Sequence, residues 1–221
     1  MRTIVMFGLF AVTTAPASAQ SAPAPYPFMA PIEQYRMPAA AEITLARSAA
    51  PAAIAAAAAV LVLGDSAYQT AVKGTNGFVC LVERSWANDF GNLDFWNPKV
   101  RGPVCYNPAA ARSVLPAYLT RTRWVLAGES VTKMKAASGV STPDLGAMAY
   151  MLSKDGYLGD NVKGPWHPHL MFSLSRTPAA AWGADVKQST VLLLTAQGGA
   201  VSIFLVPVPR WSDGSQDTAS P

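Results

Sequence analysis

The 221-residue chain is 51% hydrophobic and only 14% charged, with 17 Lys and Arg against 13 Asp and Glu for a formal net charge of +4. Such a length suits one domain with a sizeable core, and so sparse a charge leaves apolar surface for a ligand or partner. The cations (Lys73, Arg84, Lys99, Arg101, Arg112, Arg121, Arg123, Lys133, Lys135) are scattered rather than massed in a block that tracks phosphates, so no nucleic-acid partner is indicated.

In chain order, Met1-Arg2 gives a positive start, Ile4 to Val12 an apolar run, and Ala17-Ser18-Ala19 the small residues before a cleavage point at Gln20. This layout reads as a signal peptide over residues 1–19. The run is far shorter than the ~20 residues a spanning helix needs, so no transmembrane segment is expected after cleavage. The first cysteine is Cys80, so no lipid anchor is expected at the cleavage point, and no paired arginines mark twin-arginine export. The expected location is periplasmic or secreted.

Residues 20–40 form a Pro/Ala-rich linker, with Pro23, Pro25, Pro27, Pro31 and Pro38 favouring extended backbone. Ala39 to Ala50 places Glu42, Ile43, Leu45 and Arg47 at helical spacing, and Pro51 breaks or restarts that helix. The alanine-rich stretch beyond it is too weakly apolar to read as a membrane span. From Val60 the pattern changes to short β-branched and aromatic runs separated by turn residues. Val60–Leu63, Tyr68–Lys73 and Phe78–Trp86 read as three antiparallel strands, with Asn76-Gly77 the strongest hairpin signal. Asn88 to Pro108 reads as a loop rich in Trp, Asn and Pro, and Ala109 to Ala137 as helical with an interruption at Pro116. Strands return at Ala147–Ser153, Tyr157–Leu158, His167–Leu174, Val191–Thr195 and Val201–Val208, the last two joined through Gly198-Gly199. Strands, then helices, then strands predict an α+β fold, a mainly antiparallel sheet with a few helices packed on it, in a single domain over residues 41–211. The polar residues 212–221 read as a flexible tail.

The blocks Asn76 to Trp86, Phe95 to Lys99, Pro103 to Pro108 and Trp166 to Phe172 resemble those of a group of uncharacterised exported bacterial proteins. The resemblance spans roughly residues 41–214. It implies bacterial origin and a periplasmic or secreted location, and it carries no activity.

Two cysteines in an exported chain normally oxidise, so Cys80 and Cys105 read as a structural disulfide, with buried thiols or a metal thiolate pair as the alternatives. His167 and His169 flank Pro168, which holds the segment extended and sends both imidazoles to one side. Such a pair is half of a Zn or Cu site, for which Glu83, Asp160 or a cysteine could add a ligand; the alternative is an edge corner whose histidines bond nearby backbone. Ser130 to Lys133 matches S-x-x-K but lacks the companion motifs of the penicillin-recognising enzymes. Glu83-Arg84 ends an alternating strand, so one of the charges faces inward, either as a general base beside the histidines or in an ion pair at the sheet edge. Trp86, Phe90, Phe95, Trp96, Tyr106 and Trp166 could line an apolar cleft or pack the core. The candidate pocket is therefore His167, His169, Glu83, Arg84, Trp166 and Trp86. No catalytic constellation is complete, so the preferred function is a non-enzymatic domain binding a small ligand or an envelope partner. The alternative is a metal-binding protein or metal-dependent enzyme centred on His167 and His169.

Overall fold

Proline and asparagine set the helix boundaries in the computed structural model, which describes residues 24–137, 142–161, 167–184, 192–195 and 200–218. The expected signal peptide at residues 1–19, Trp166, Val191 and the expected turn at Gly198-Gly199 lie outside the described residues. Helix α1 (Ala39–Arg47) follows Pro38, and α2 (Ala52–Ala55) restarts behind Pro51. Helix α3 (Pro108–Ser113) begins on Asn107, whose side chain accepts the Ala110 N–H at 2.9 Å. The interruption expected at Pro116 falls just before it: α3 ends and α4 (Leu115–Leu126) starts around Val114, leaving Pro116 in a first turn where its missing N–H costs nothing. Helix α5 (Val131–Ala137) follows.

Eight strands form one sheet: β1 (Ala59–Leu63), β2 (Tyr68–Val72), β3 (Val79–Glu83), β4 (Gly102–Tyr106), β5 (Met148–Met151), β6 (His169–Ser175), β7 (Leu192–Thr195) and β8 (Val201–Pro207). Their order is β2-β1-β3-β4-β5-β6-β8-β7. The fold is α+β, as the element pattern implies, and every strand pair is antiparallel except β1 with β3.

That parallel pair corrects the reading of Asn76-Gly77 as a hairpin turn. The chain leaving β2 crosses the start of β1 instead of folding back on itself. The Thr75 N–H donates to the Ala57 carbonyl (2.8 Å) and the Asn76 amide to the Ile54 carbonyl (2.8 Å), which docks the segment on the α2–β1 connection. Gly74 permits the crossing because a Cβ there would lie 2.1 Å from the Ala59 nitrogen. A second correction concerns the supposed loop from Asn88 to Pro108, which contains β4, a fully buried central strand. Its opening Arg101-Gly102-Pro103 disguises it. Pro103 is tolerated because the β4–β5 ladder engages only Cys105 and Tyr106, so no N–H is required of it there. Tyr157 makes only an isolated bridge to Arg101.

Side-chain alternation along the central strands builds a core on each face. Leu81, Val104, Tyr106, Ala149 and Met151 join the cluster that includes Leu115, Tyr118 and Val125 of α4, while Cys80, Val82 and Cys105 join Ala46, Ala49, Ala55 and Ala58 of α1, α2 and the connections after them. Cys80 and Cys105 stand directly opposite in the β3–β4 register and are joined as a disulfide. Beyond β8, the Val208 N–H donates to the Pro168 carbonyl and the Ser212 N–H to the Leu152 carbonyl, each at 2.9 Å. Those bonds fold the segment after β8 back onto the ends of β5 and β6. No helix among the described residues is long and apolar enough to cross a membrane.

Candidate functional site

The densest polar cluster sits where β1 and β3 part. Their parallel ladder holds only Ala59 to Val79 and Val60 to Cys80, and beyond it the backbone groups of both strands find side chains in place of each other. The Leu63 N–H donates to Glu42 Oε1 at 3.1 Å. The Val82 carbonyl accepts from the Tyr68 hydroxyl at 2.6 Å and from Arg84 Nη1. Arg84 further donates Nη2 to Glu42 Oε1 at 2.7 Å and Nε to the Tyr35 carbonyl at 2.6 Å, and its own N–H donates to the Tyr118 hydroxyl at 2.8 Å. Tyr118 and Tyr68 are bonded through their hydroxyls at 3.1 Å. Arg84 and Glu42 are both completely buried. The pair therefore replaces ladder hydrogen bonds in the interior of the sheet, and the edge ion pair expected of Glu83-Arg84 does not form.

Glu83 points the opposite way, as strand alternation requires. The Tyr106 hydroxyl donates to its Oε1 at 2.6 Å. Burial pushes the Glu83 pKa up to about 7, against the smaller opposing pulls of the Tyr106 hydrogen bond and the Arg121 charge. Because the native state keeps this proton to higher pH than the unfolded chain, Glu83 makes stability fall as pH rises from about 4.5 to about 7. Replacing Glu83 with Gln should flatten that slope and leave the variant more stable than the parent above pH 7. Urea denaturation from pH 4.5 to 8 reads the difference, and parallel profiles for the two proteins would contradict the assignment. His169 titrates in both proteins and cancels in the comparison.

The histidines lie elsewhere. Strands β4 and β5 separate β3 from β6, so Glu83 and Arg84 stand three strand spacings, roughly 14 Å, from the His167–His169 segment. The carboxylate that meets the pair is Asp217, whose Oδ2 lies 2.6 Å from His167 Nδ1. His169 Nδ1 lies 2.9 Å from the His167 carbonyl. Since a carbonyl and a carboxylate only accept, the Nδ1 proton is fixed on both rings, the orientation seen in metal-binding and proton-transferring histidines. Burial pulls the His169 pKa below the ordinary imidazole value. Among the described residues, no three His, Cys, Asp or Glu side chains gather closely enough to hold a metal, and the cysteines are committed to each other. Asp160 bonds Asn97 and Tyr157 rather than a histidine.

Of the aromatic residues read as a possible cleft, Trp86, Phe95 and Tyr106 pack inward, while Phe90 and Trp96 are partly buried. Trp86 is completely buried, donating Nε1 to Thr122 Oγ1 at 2.9 Å, and Phe95 and Tyr106 are buried with it. Trp96 stacks on Tyr26 with ring centroids 4.5 Å apart. In the S-x-x-K segment, Ser130 Oγ accepts the Lys133 N–H and Lys133 Nζ pairs with Glu129 at 2.6 Å, a helix-start arrangement with no nucleophile–base contact. Residues missed from the sequence are Glu42, Tyr35, Tyr68, Tyr118 and Asp217. Only Glu42 carried a signal, as a lone acid on the helix face that also bears Ala46.

Of the large apolar side chains that are exposed, Leu192 and Leu194 on β7 and Trp182 beside β8 are about half exposed, and Phe28, Leu145 and, within the Trp-rich loop, Leu93 more so. Compared with family models, with curated proteins and with solved structures, the chain matches none of them.

Proposed function

We propose that this is an exported bacterial protein, periplasmic or secreted, that works by binding a partner through the outer end of its sheet, strands β6, β8 and β7, rather than by catalysis. The observation that carries the reading is the chemistry of that end. Its three strands contain no Asp, Glu, Lys or Arg, and Leu170, Met171, Phe172, Ile203, Phe204 and Leu205 keep partial exposure on both faces. Helices α1 and α3 pack on β1, β3, β4 and β5 instead. Uncharged sheet surface of this extent is the mark of an interaction site. The Cys80–Cys105 disulfide suits an oxidising compartment, in keeping with the signal-like N-terminus.

The test expresses the full chain with a photo-crosslinking phenylalanine analogue at position 194. A mature N-terminus near Gln20 and a specific covalent adduct are the expected results. A chain still starting at Met1 would end the export reading, and the absence of any adduct would end the binding reading. Metal analysis of the same material decides the alternative centred on His167 and His169, which the fixed Nδ1 protons favour.

A further inference from the structure

The two edges of the sheet differ in a way that bears on the partner. At one end β2 exposes Gln69 and Thr70 and runs on into exposed Lys73, polar features that discourage pairing with another strand. At the other end β7 is Leu192-Leu193-Leu194-Thr195, without a charge or a proline. Among the described residues only β8 pairs with it.

We propose that the partner is a second copy of this chain, joined β7 to β7 in antiparallel register about a two-fold axis. This rests on the reading of the β6–β8–β7 end as the binding surface. In the β7–β8 register Leu192 and Leu194 share a face with Leu205 and Ile203, while Leu193 shares the other face with Phe204, against which Trp182 packs at a centroid distance of 5.3 Å. A strand added beside β7 must therefore be apolar on both faces and uncharged, because a charge seated against these leucines would lose its water without gaining a partner. β7 itself meets that requirement. Charge is the first reason to favour self-pairing: the chain is cationic overall, yet this edge carries none of the charge, so two copies meet here without like-charge repulsion. Closure is the second. Pairing about a two-fold consumes the β7 edge of each copy, open among the described residues, and leaves the polar β2 edge at each end of a sixteen-stranded sheet, whereas a foreign strand would present a new outer edge of its own. The seam is short, about 13 Å for four residues, so its area falls below the ~800 Å² per partner of a stable complex and the dimer is weak and concentration-dependent.

Sedimentation velocity on protein recovered from periplasmic extract, from about 2 to about 200 µM, should show a monomer at the low end and a dimer at the high end, a range set by so small an interface. Leu194→Lys should weaken the dimer at least tenfold at an unchanged denaturation midpoint, since half of that side chain already faces outward. Thr70→Lys on β2 should leave dimerisation intact. A parent that stays monomeric at the highest concentration, or a Leu194→Lys protein that dimerises as the parent does, overturns the proposal. If Leu194→Lys lowers the midpoint, Leu192→Lys takes its place under the same criteria. The crosslinker at position 194 separates the two levels of inference: an adduct of twice the chain mass supports self-pairing, one of any other mass overturns it while leaving the binding surface standing, and none ends both.

Discussion

Replacing Arg84 with Met is expected to cost the fold about 3–5 kcal/mol, the usual consequence of stranding one member of a buried ion pair. The loss follows from what remains behind. Glu42 would be left at zero exposure with only the Leu63 N–H near Oε1, while its Oε2 is already buried without a hydrogen-bond partner among the described residues. The carbonyls of Tyr35 and Val82 would each lose a charged donor. Glu42→Leu combined with Arg84→Met should recover a large part of the loss, because the desolvation penalty of both charges disappears with them. Urea denaturation of the two single variants and the double variant closes the cycle. Additive losses would show that the ion pair is not the unit, and an Arg84→Met loss below about 1 kcal/mol would place the cluster outside the stability of the fold.

Removing the Cys80–Cys105 bond by a double change to Ala is expected to cost about 3.5 kcal/mol, the chain-entropy value for a closed loop with a sequence separation of 25. Both cysteines are fully buried, so lost packing adds to that figure. For a domain of ordinary stability this is a large share of the total. The bond should also leave no titratable thiol in denatured, unreduced protein. Two titratable thiols, or a double variant as stable as the parent, would refute its contribution. The consequence for function is local: β3 and β4 carry Glu83, Tyr106 and the Val82 carbonyl, so loosening their pairing should disturb the Arg84 cluster as well.

Several features were legible along the chain because the forces behind them act between near neighbours. Prolines at 38, 51 and 116 and the Asn107 cap delimit helices through missing N–H groups and local hydrogen bonds. Short runs of β-branched, aromatic and other apolar residues bounded by turn residues mark seven of the eight strands, because those side chains suit a pleated, half-buried surface. The disulfide was legible for another reason: a chain with two cysteines offers only one intramolecular pairing. The exception among the strands, β4, is buried on both faces and opens with Gly102-Pro103, so it shows neither alternation nor strand-like residues at its start.

What the sequence left open concerns partners far apart in the chain. Asn76-Gly77 has hairpin chemistry, but Gly74 allows a closer approach to the α2–β1 backbone, and long-range docking outweighed the local turn preference. The candidate pocket divided for a similar reason: adjacent residues on a strand point to opposite faces, which separates Glu83 from Arg84, and strand order then places β4 and β5 between them and the histidines. Arg84 found Glu42 at a separation of 42 residues and His167 found Asp217 at 50. Composition and period by themselves determined the fold class and the disulfide, since those depend on local geometry and residue type. Only the tertiary structure decided which charges pair and which apolar strands keep exposed surface among the described residues, because a buried charge is satisfied by whichever complementary group the chain topology brings within reach.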